Sequence, residues 1–323
     1  MAHGRVLVTG ASGFIGRALV PALLAQGRQC TLLLRQGSVV PPELTENENL
    51  TVMRFDGPDS LPDLGLFSDV VHLAGLAHIS GSSLSDPEQA FHAANADLTA
   101  RLAERARDGG AQRFVFLSSL AAITPNARAE AITDDTRETA DTPYGRSKAQ
   151  AEAELERIAG DALVWVALRP PLVVGPDAQG NWTLLQKLAA SGLPLPFASA
   201  RAMRHFVSRD TVCEAILHIL AMPVDRIVSG AYNFADPEPL ALADVVRELR
   251  AGMGKPVRLL PFPAAVIRAA GAAAGLRTKM DGLLGPLNVD GSRFLRNFSF
   301  TPSTGIREAI RRSGRDFVQH RSQ

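Results

Sequence analysis

The segment Tyr144-Gly-Arg-Ser-Lys148 places a tyrosine and a lysine four residues apart. On a helix, residues with this spacing lie on one face, about one turn from each other. An ammonium group beside a phenol favours the phenolate, so we expect Lys148 to lower the pKa of Tyr144 from its ordinary value of about 10. Tyr144 could then carry the proton that moves when an alcohol becomes a ketone, or the reverse. The same spacing is common on solvated helix faces, so the surrounding elements must decide between the two interpretations.

Three glycines follow the first predicted strand, residues 5–9, and precede a helical pattern over residues 17–26. Strand, glycine-rich loop and helix in this order are the context that a dinucleotide fingerprint requires, although the spacing here is GxxGxxG. Gly10 permits the tight turn, Gly13 lets the backbone approach a pyrophosphate, and Gly16 lets the helix pack on the sheet. We therefore predict a dinucleotide whose diphosphate lies at the N-terminus of this helix, where free N–H groups and the helix dipole favour anions.

The second predicted strand, residues 30–34, is followed by Arg35. A carboxylate at this point would hold the ribose 2′-hydroxyl of NAD, whereas an arginine accommodates the 2′-phosphate of NADP. The charge therefore favours NADP(H), with NAD(H) as the alternative because Arg35 could be a solvated residue at a strand end. Asp56 directly follows the third predicted strand, residues 51–55, and could accept a hydrogen bond from the adenine amine.

The fourth predicted strand, residues 69–75, ends in small residues that would let a cofactor lie against the backbone. We interpret His72, within this strand, as a hydrogen-bonded interior histidine. His78 lies nearer the expected cleft and is a candidate substrate contact. Asn95 opens a helix predicted over residues 96–107. It either anchors that helix or orders a water or backbone group near the tyrosine.

Ser118 and Ser119 follow the fifth predicted strand, residues 113–117. Ligands of open parallel sheets lie at this carboxyl edge. A hydroxyl there can hydrogen-bond a substrate carbonyl or alcohol while Tyr144 moves its proton.

The order of elements through the sixth strand, residues 164–168, is β-α-β-β-α-β-α-β-α-β, and the tyrosine helix is predicted over residues 143–158. The strands are too apolar to be solvated on either face, which is typical of an α/β fold with a doubly wound parallel sheet of the Rossmann type. Beyond Gly175 the chain is richer in proline and less regular. We expect a dinucleotide-binding domain over residues 1–175 and a smaller, mixed α/β, mainly substrate-binding domain over residues 176–323, with some segments returning to the first.

Composition narrows the class of protein. The 323 residues are 46% hydrophobic and 21% charged with a formal charge of +1, which describes a globular protein without the basic excess of a nucleic-acid binder. Cys30 and Cys213 have no metal-ligand spacing, so we predict no metal site and expect reduced core thiols of a cytoplasmic protein. The N-terminus runs directly into a strand pattern, which leaves no room for a signal peptide.

The longest run of small apolar residues, 264–276, contains Arg268. It is too short to cross a bilayer, so we expect no integral membrane segment. We expect this run to form a helix that packs on the second domain, and a position on a membrane surface is the alternative.

With these residues placed, nearly the whole sequence resembles the extended short-chain dehydrogenase/reductases of the NAD-dependent epimerase/dehydratase family. The resemblance rests on four motifs in family order, Val71-His-Leu-Ala-Gly75, Phe114-Val-Phe-Leu-Ser-Ser119, Tyr144-Gly-Arg-Ser-Lys148 and Leu168-Arg-Pro-Pro-Leu-Val-Val-Gly-Pro176. It implies that Ser119, Tyr144 and Lys148 form the catalytic set, with Ser119 rather than Ser118 as the catalytic hydroxyl. It also implies NAD(P) binding through a larger set: Gly10, Ser12, Gly13, Phe14, Ile15, Gly16, Arg35, Asp56, Leu73, Ala74, Gly75, Asn95, Tyr144, Lys148 and Pro170.

The C-terminal half resembles the nucleotide-sugar branch of this family, nearest to UDP-glucose 4-epimerase-like proteins and UDP-N-acetylhexosamine 4-ketoreductases of polysaccharide assembly. The resemblance implies a UDP-sugar substrate contacted by His78, Ser119, Asn181 and Arg204, with the last two on the diphosphate. Arginine suits phosphate because its fork donates two parallel hydrogen bonds. A surface ion pair is the alternative for Arg204. Relatives often pair as homodimers through the helices that correspond to residues 98–107 and 144–158.

Two departures from the family pattern narrow the function. Leu120 and Ala121 follow the catalytic serine where the dehydratase branch has an acid, so a 4,6-dehydratase is not expected. Phe298-Ser-Phe-Thr-Pro302 stands where glycine-tryptophan-threonine-proline is usual. We predict hydride transfer at C4 of a UDP-hexose by a 4-ketoreductase, with a 4-epimerase that retains NAD as the alternative. A reductase of lipid or steroid-like ketones and a non-catalytic dinucleotide sensor are rival hypotheses.

Overall fold

The computed structural model describes residues 4–40, 44, 47–65, 67–77, 86–124, 128–136, 140–273, 275 and 282–319. In these ranges the strands are β1 (Val6–Thr9), β2 (Cys30–Arg35), β3 (Leu50–Phe55), β4 (Asp69–His72), β5 (Arg113–Leu117), β6 (Val164–Arg169), β7 (Val173–Val174), β8 (Met203–Arg204), β9 (Val207–Ser208), β10 (Gly230–Asn233) and β11 (Leu240–Ala241). Seven of them form one parallel sheet in the order β10-β6-β5-β4-β1-β2-β3. The predicted α/β fold with a doubly wound parallel sheet is confirmed.

Ten helices are labelled in the described ranges: α1 (Gly16–Ala25), α2 (Pro87–Phe91), α3 (Leu98–Asp108), α4 (Pro143–Ala159), α5 (Asn181–Ala190), α6 (Arg209–Ala221), α7 (Leu242–Gly252), α8 (Ala264–Ala273), α9 (Ser292–Phe298) and α10 (Ile306–Gln319). A π-helical turn, His92–Asp97, joins α2 to α3. No helix of the described part of the chain has the length and apolarity needed to cross a bilayer.

The strands are buried on both faces because their side chains alternate between two cores. In β1, Val6 and Val8 join the core formed with α1 and α6, whereas Leu7 joins the core formed with α3 and α4. Burial of each such side chain contributes roughly 1.5–3 kcal/mol to stability. Both thiols, Cys30 and Cys213, are buried in the first of these cores, as predicted.

The helix predicted between the third and fourth strands is absent from the described residues, and that prediction is wrong. The connection holds only the 3₁₀ turn Pro58–Ser60. Two prolines and two glycines within residues 56–68 disfavour an α-helix. Leu61, Leu64 and Phe67 cover the sheet there instead.

The sheet reverses its direction of growth between β1 and β4, because β1 neighbours both β2 and β4. In open α/β sheets, ligands bind in the crevice at the carboxyl ends of the strands at such a switch point. Thr9 and His72 end these two strands and mark the place of the expected cofactor crevice.

A third core lies in the C-terminal half, where α5, α7 and α10 pack together through residues such as Trp182, Leu249 and Ile310. Trp182 Nε1 donates to Ser313 Oγ at 3.1 Å, which satisfies the only polar atom of this buried ring. The chain also returns to the large sheet after residue 175, since β10 pairs with β6. The division of the chain at residue 175 stays a prediction.

Candidate active site

Tyr144 lies in the first turn of α4, close to the carboxyl end of β5. Thr142 caps the helix by accepting a hydrogen bond from Gly145 N at 3.0 Å. The Tyr144 phenol interacts with the Ser119 hydroxyl. The Phe91 ring packs edge-on against the Tyr144 ring, with the centroids 5.9 Å apart. The fold therefore brings the predicted tyrosine and the predicted hydroxyl together.

Burial raises the pKa of the Tyr144 phenol, and the interaction with Ser119 lowers it by less. The prediction that Lys148 lowers this pKa is wrong for the arrangement observed. Lys148 Nζ instead donates to Leu117 O at 3.0 Å and lies 4.6 Å from the centroid of the Phe116 ring. Tyr144 is consequently held as a neutral phenol, which is a proton donor.

Lys148 is buried one turn further along α4, with only 4% of its surface exposed. Burial lowers its pKa to about 8, and the nearby Glu152 carboxylate raises it. Glu152 follows Lys148 by four residues, so Tyr144, Lys148 and Glu152 share one helix face. The spacing of four residues between Lys148 and Glu152 is visible in the sequence, and it could have identified Glu152 as a residue on the same helix face as Tyr144 and Lys148.

Glu152 forms a buried ion pair with Arg169, the last residue of β6. Arg169 Nη2 donates to Oε2 at 2.6 Å and Nε donates to Oε1 at 3.0 Å. The Ser118 hydroxyl donates to the same carboxylate. The Ser118 side chain is thus buried and hydrogen-bonded to Glu152, whereas Ser119 is partly exposed beside Tyr144. This difference supports Ser119 as the catalytic hydroxyl.

At two positions in the site a glycine lets neighbouring groups approach the backbone closely. A Cβ on Gly145 would lie 2.4 Å from Ala121 O, so only glycine lets α4 approach the turn that follows Ser119. A Cβ on Gly75 would lie 2.8 Å from Asn95 Oδ1 and 3.0 Å from Lys148 Nζ. Gly145 was not singled out in the sequence, because a glycine inside a helix gives no signal of what it contacts.

The glycine-rich loop after β1 has the shape that a dinucleotide needs. Gly10 has φ of +71°, and a Cβ there would lie 2.6 Å from Ala74 N. A Cβ on Gly16 would lie 2.3 Å from Gly10 O. Ser12 and Gly13 are exposed along the loop. No side chain in the described part of the chain caps α1, so its first N–H groups suit an anion. The residues present therefore fit a dinucleotide diphosphate.

The inner side of this loop is packed by its two apolar residues. Ile15 is buried in the core beneath the sheet. Phe14 contacts two cores, lies close to Gly175, and has the Arg209 guanidinium 5.5 Å from its ring centroid. These contacts hold the loop against the chain beyond β7.

The other predicted cofactor contacts near the nicotinamide end lie at the same edge of the sheet. Leu73 N donates to Thr9 O at 3.2 Å, and Ala74 N donates to Thr9 Oγ1 at 3.1 Å. Pro170 is buried, and its carbonyl accepts from Leu120 N at 3.0 Å. The strand ends are thereby fixed to each other and to the turn after Ser119.

His72 is fully buried between two threonines. Its Nδ1 lies 2.6 Å from Thr9 Oγ1 and its Nε2 lies 3.0 Å from Thr99 Oγ1. Burial lowers its pKa to about 3, so the ring is neutral. The interpretation of His72 as a hydrogen-bonded interior histidine is confirmed.

The prediction that Asn95 opens a helix is wrong. Asn95 lies inside the π-helical turn His92–Asp97. Its Oδ1 accepts from Leu76 N at 2.8 Å, and its Nδ2 donates to Leu76 O at 3.1 Å and to Ser147 Oγ at 2.8 Å. Such π-turns occur frequently at functional sites. Asn95 therefore orders the backbone after β4 and ties it to the tyrosine helix.

Arg35 and Asp56 line a cleft of about 470 Å³ together with residues 36–38, at the ends of β2 and β3. Arg54, which sequence reasoning missed, adjoins this cleft. Its Nη1 donates to Arg35 O at 3.3 Å and to Ser38 O at 2.9 Å. Arg35 and Asp56 thus share a cleft whose backbone is held by Arg54, at the position expected for the adenosine ribose.

Asn181 and Arg204, the residues predicted to contact the UDP diphosphate, both lie next to one turn, residues 282–285. A Cβ on Gly282 would lie 3.6 Å from Asn181 Nδ2, and Arg204 donates to Gly285 O. Burial lowers the pKa of Arg204 to about 10. Arg204 therefore contacts a backbone carbonyl and does not match the alternative of an exposed ion pair. His78 lies outside the described residues.

Comparison with known proteins agrees with this fold. Residues 6–235 match the NAD dependent epimerase/dehydratase family. The UDP-glucose 4-epimerase of Vibrio cholerae is 28% identical over 324 residues, which cover 97% of this chain and 95% of that protein. The ceramide reductase of Caulobacter vibrioides is 28% identical over 304 residues, which cover 94% of this chain and 87% of that protein.

Among solved structures, the UDP-glucuronic acid 4-epimerase from Bacillus cereus in complex with NAD matches with a TM-score of 0.76 and 19% identity. The match covers 99% of this chain and 100% of that one, and it shows that the fold is shared. Since the family match spans the glycine-rich loop, the Ser119–Tyr144 pair and all seven strands of the large sheet, this chain is an NAD(P)-dependent enzyme that belongs to the NAD-dependent epimerase/dehydratase family.

Proposed function

We propose that this enzyme reduces the C4 carbonyl of a UDP-linked 4-keto-hexose, as a 4-ketoreductase of polysaccharide precursor synthesis. The observation that carries the proposal is the pairing of the Tyr144 and Ser119 hydroxyls, one helical turn before the buried Lys148. Similarity to the Vibrio cholerae epimerase along nearly the whole chain supports a UDP-sugar substrate. Asn181 and Arg204 would bind the UDP diphosphate, since both border residues 282–285.

Tyr144 would give its proton to the C4 oxygen. Because burial raises its pKa, the phenol is protonated at neutral pH and can donate as the oxygen gains negative charge. Ser119 would hydrogen-bond the same oxygen and stabilise that charge. A neutral phenol is the form that reduction requires, whereas oxidation of an alcohol requires the phenolate.

When bound, NAD(P)H supplies the hydride. The glycine-rich loop would hold its diphosphate, and Lys148 would bind the nicotinamide ribose. Pro170 would position the carboxamide end. Arg35 and Arg54 would attract a ribose 2′-phosphate, which favours NADP(H) over NAD(H).

A UDP-hexose 4-epimerase is the second candidate, and the Vibrio cholerae relative favours it. Both reactions would use Tyr144 at C4, as proton donor in the reductase and as base and then proton donor in the epimerase. An epimerase must retain its cofactor while the 4-keto sugar turns over, whereas a reductase consumes and releases it. Retention of NAD(H) through purification, without net consumption during turnover, would contradict the reductase proposal.

Reduction of a lipid ketone is a third candidate, because the ceramide reductase of Caulobacter vibrioides matches over most of the chain. A lipid substrate would not need the Asn181 and Arg204 pair. Binding of UDP with a dissociation constant that rises on Arg204→Ala substitution would support the nucleotide-sugar substrate over the lipid. A non-catalytic sensor would bind dinucleotide yet turn over neither class of ketone.

The deciding experiment mixes the enzyme with a UDP-4-keto-6-deoxy-N-acetylhexosamine and either NADPH or NADH, and follows nicotinamide absorbance. Loss of reduced cofactor in proportion to product would establish the 4-ketoreductase and its cofactor preference. No loss, with interconversion of UDP-glucose and its C4 epimer, would establish the epimerase.

The proposal has two further parts. Two copies of the chain would pair through α3 and α4, which sedimentation tests, and the protein would be cytoplasmic, which cell fractionation tests.

A further inference from the structure

The C-terminal half carries a concentration of exposed large apolar side chains. Leu193, Val257, Leu260, Phe262 and Val266 are between 43% and 65% exposed, and we call these five residues the apolar patch. Single exposed apolar side chains are ordinary on protein surfaces, but adjoining groups of them mark interaction sites.

The members of the apolar patch come from two segments that lie side by side. Leu195 N donates to Arg258 O at 3.0 Å, and Leu260 N donates to Leu195 O at 2.8 Å. Helix α8 starts at Ala264, directly after the second segment, and presents Val266. The backbone segments that carry the five exposed side chains are therefore neighbours.

This surface is held firmly from beneath. Arg250, whose side chain is fully buried, donates to the carbonyl oxygens of Leu193, Pro256 and Arg258, the last at 3.1 Å. Ile267 anchors α8 in the third core. The apolar patch is therefore a built feature of the fold and not the end of a loose loop.

Within residues 255–273, which carry four of the five members of the apolar patch, the charged side chains have one sign. Residues 255–273 contain Lys255, Arg258 and Arg268 and no aspartate or glutamate, although the whole chain has a formal charge of only +1. All three basic residues are exposed. We propose that the apolar patch and these three residues bind the surface of a bilayer that contains anionic phospholipid. Apolar side chains would enter the headgroup region while each basic residue strengthens binding by about fivefold.

A second copy of the chain suits this surface less well. In a two-fold symmetric pair each patch meets its own copy. The three cations of one copy would then approach the three of the other without acidic partners from this segment, which disfavours association. Anionic headgroups supply the complementary charge that residues 255–273 of a second copy lack.

Bilayer binding would place lipid next to the proposed substrate site. Arg268 Nη2 donates to Leu284 O at 3.4 Å, within the turn that Asn181 and Arg204 border. Helix α8 thus joins the apolar patch to the candidate substrate site. The lipid-binding proposal does not depend on which ketone the enzyme reduces.

The test is co-sedimentation of the full chain with sucrose-loaded vesicles, either of phosphatidylcholine alone or of phosphatidylcholine mixed with phosphatidylglycerol. We expect binding to the anionic vesicles that weakens as salt is added. The double variant Phe262→Ser, Val266→Ser should reduce the partition coefficient at least about tenfold. Arg258→Glu should reduce it more than fivefold, because it removes one cation and adds an anion.

Matched controls lie on another part of the surface. Val228 is 52% exposed, as is Val266, so Val228→Ser is the apolar control, and Arg226→Glu is the charge control. Both controls should bind anionic vesicles as the wild type does. Absence of binding by the wild type, or equal binding by the patch variants, would overturn the proposal. A wild-type dimer that the Phe262→Ser, Val266→Ser variant converts to monomer, without vesicle binding, would instead assign the apolar patch to contact between copies.

Discussion

Gly145 in the tyrosine helix lies so close to Ala121 that a Cβ on residue 145 would stand 2.4 Å from the Ala121 carbonyl oxygen. This contact sets the distance between two parts of the site, because Tyr144 precedes the glycine and Ser119 precedes the carbonyl by two residues. The close approach of a helix to a turn thus determines whether the two hydroxyls can meet.

The first prediction concerns Gly145→Ala. Alanine favours a helix interior by about 1 kcal/mol over glycine, so a purely local effect would stabilise the protein. The clash with Ala121 O should instead move α4 away from the turn, and a displacement of about 1 Å can cost about 100-fold in rate. We expect kcat to fall at least about tenfold and the melting temperature to fall as well.

Gly305→Ala is the matched control, because a Cβ at residue 305 would meet nothing within 4 Å and its φ is not in the left-handed region. That variant should keep full activity. A Gly145→Ala enzyme with wild-type kcat and raised stability would show that the contact does not position Tyr144.

The second prediction concerns Tyr144→Phe, which removes the phenolic hydroxyl and keeps the ring packed on Phe91. Loss of a positioned proton donor typically costs 10²–10⁴-fold, so kcat should fall by about that factor while binding of NADPH is unchanged. Steady-state kinetics and fluorescence titration of the cofactor measure the two quantities. Full activity of the variant on the substrate that the wild type reduces would remove Tyr144 from the mechanism.

Much of this architecture could be predicted from the sequence because it depends on patterns among residues that are close together in the chain. Apolar runs such as residues 5–9, followed by Gly10, give the strand and the loop, and the alternation of Val6, Leu7 and Val8 between two cores follows from strand geometry. The helix expected before the fourth strand was wrong, because the prolines nearby prevent one, and Leu61 covers the sheet from an irregular connection instead.

The electrostatics of the site could not be predicted, because they depend on contacts between distant segments. The four-residue spacing of Tyr144 and Lys148 suggested direct charge stabilisation, yet the ammonium group bonds Leu117 O, 31 positions away in the chain. The ion pair of Glu152 with Arg169 and the donation from Arg54 to Arg35 O likewise join different elements. Only the folded arrangement reveals them.

The third prediction concerns cofactor choice. Arg35→Ala and Arg54→Ala should each raise KM for NADPH about tenfold while KM for NADH changes little, because a charged hydrogen bond to the 2′-phosphate contributes about 1.5–3 kcal/mol. Paired measurements of kcat/KM with both cofactors test this. Arg226→Ala, on an exposed turn elsewhere, is the control for loss of a surface cation. Equal losses with both cofactors would contradict a 2′-phosphate site at this cleft.

The fourth prediction concerns pH and Glu152→Gln. The carboxylate raises the pKa of Lys148, which burial has lowered to about 8, so its removal should lower that pKa further. If activity needs the ammonium form, kcat falls as pH rises through this pKa, and in the variant the fall should begin at lower pH. Glutamine Oε1 can still accept from Arg169 Nε and from the Ser118 hydroxyl, whereas the bond from Arg169 Nη2 to Oε2 is lost together with the charge.

Ser118→Ala separates this electrostatic effect from simple loosening of the interior. It removes a hydrogen bond to Glu152 but keeps the carboxylate group itself, so it should reduce stability and leave the alkaline limb of the kcat profile in place. Urea unfolding and kcat measured across pH distinguish the two outcomes. An alkaline limb that stays in place in Glu152→Gln would mean that Glu152 supports the fold through Arg169 without adjusting the protonation of Lys148.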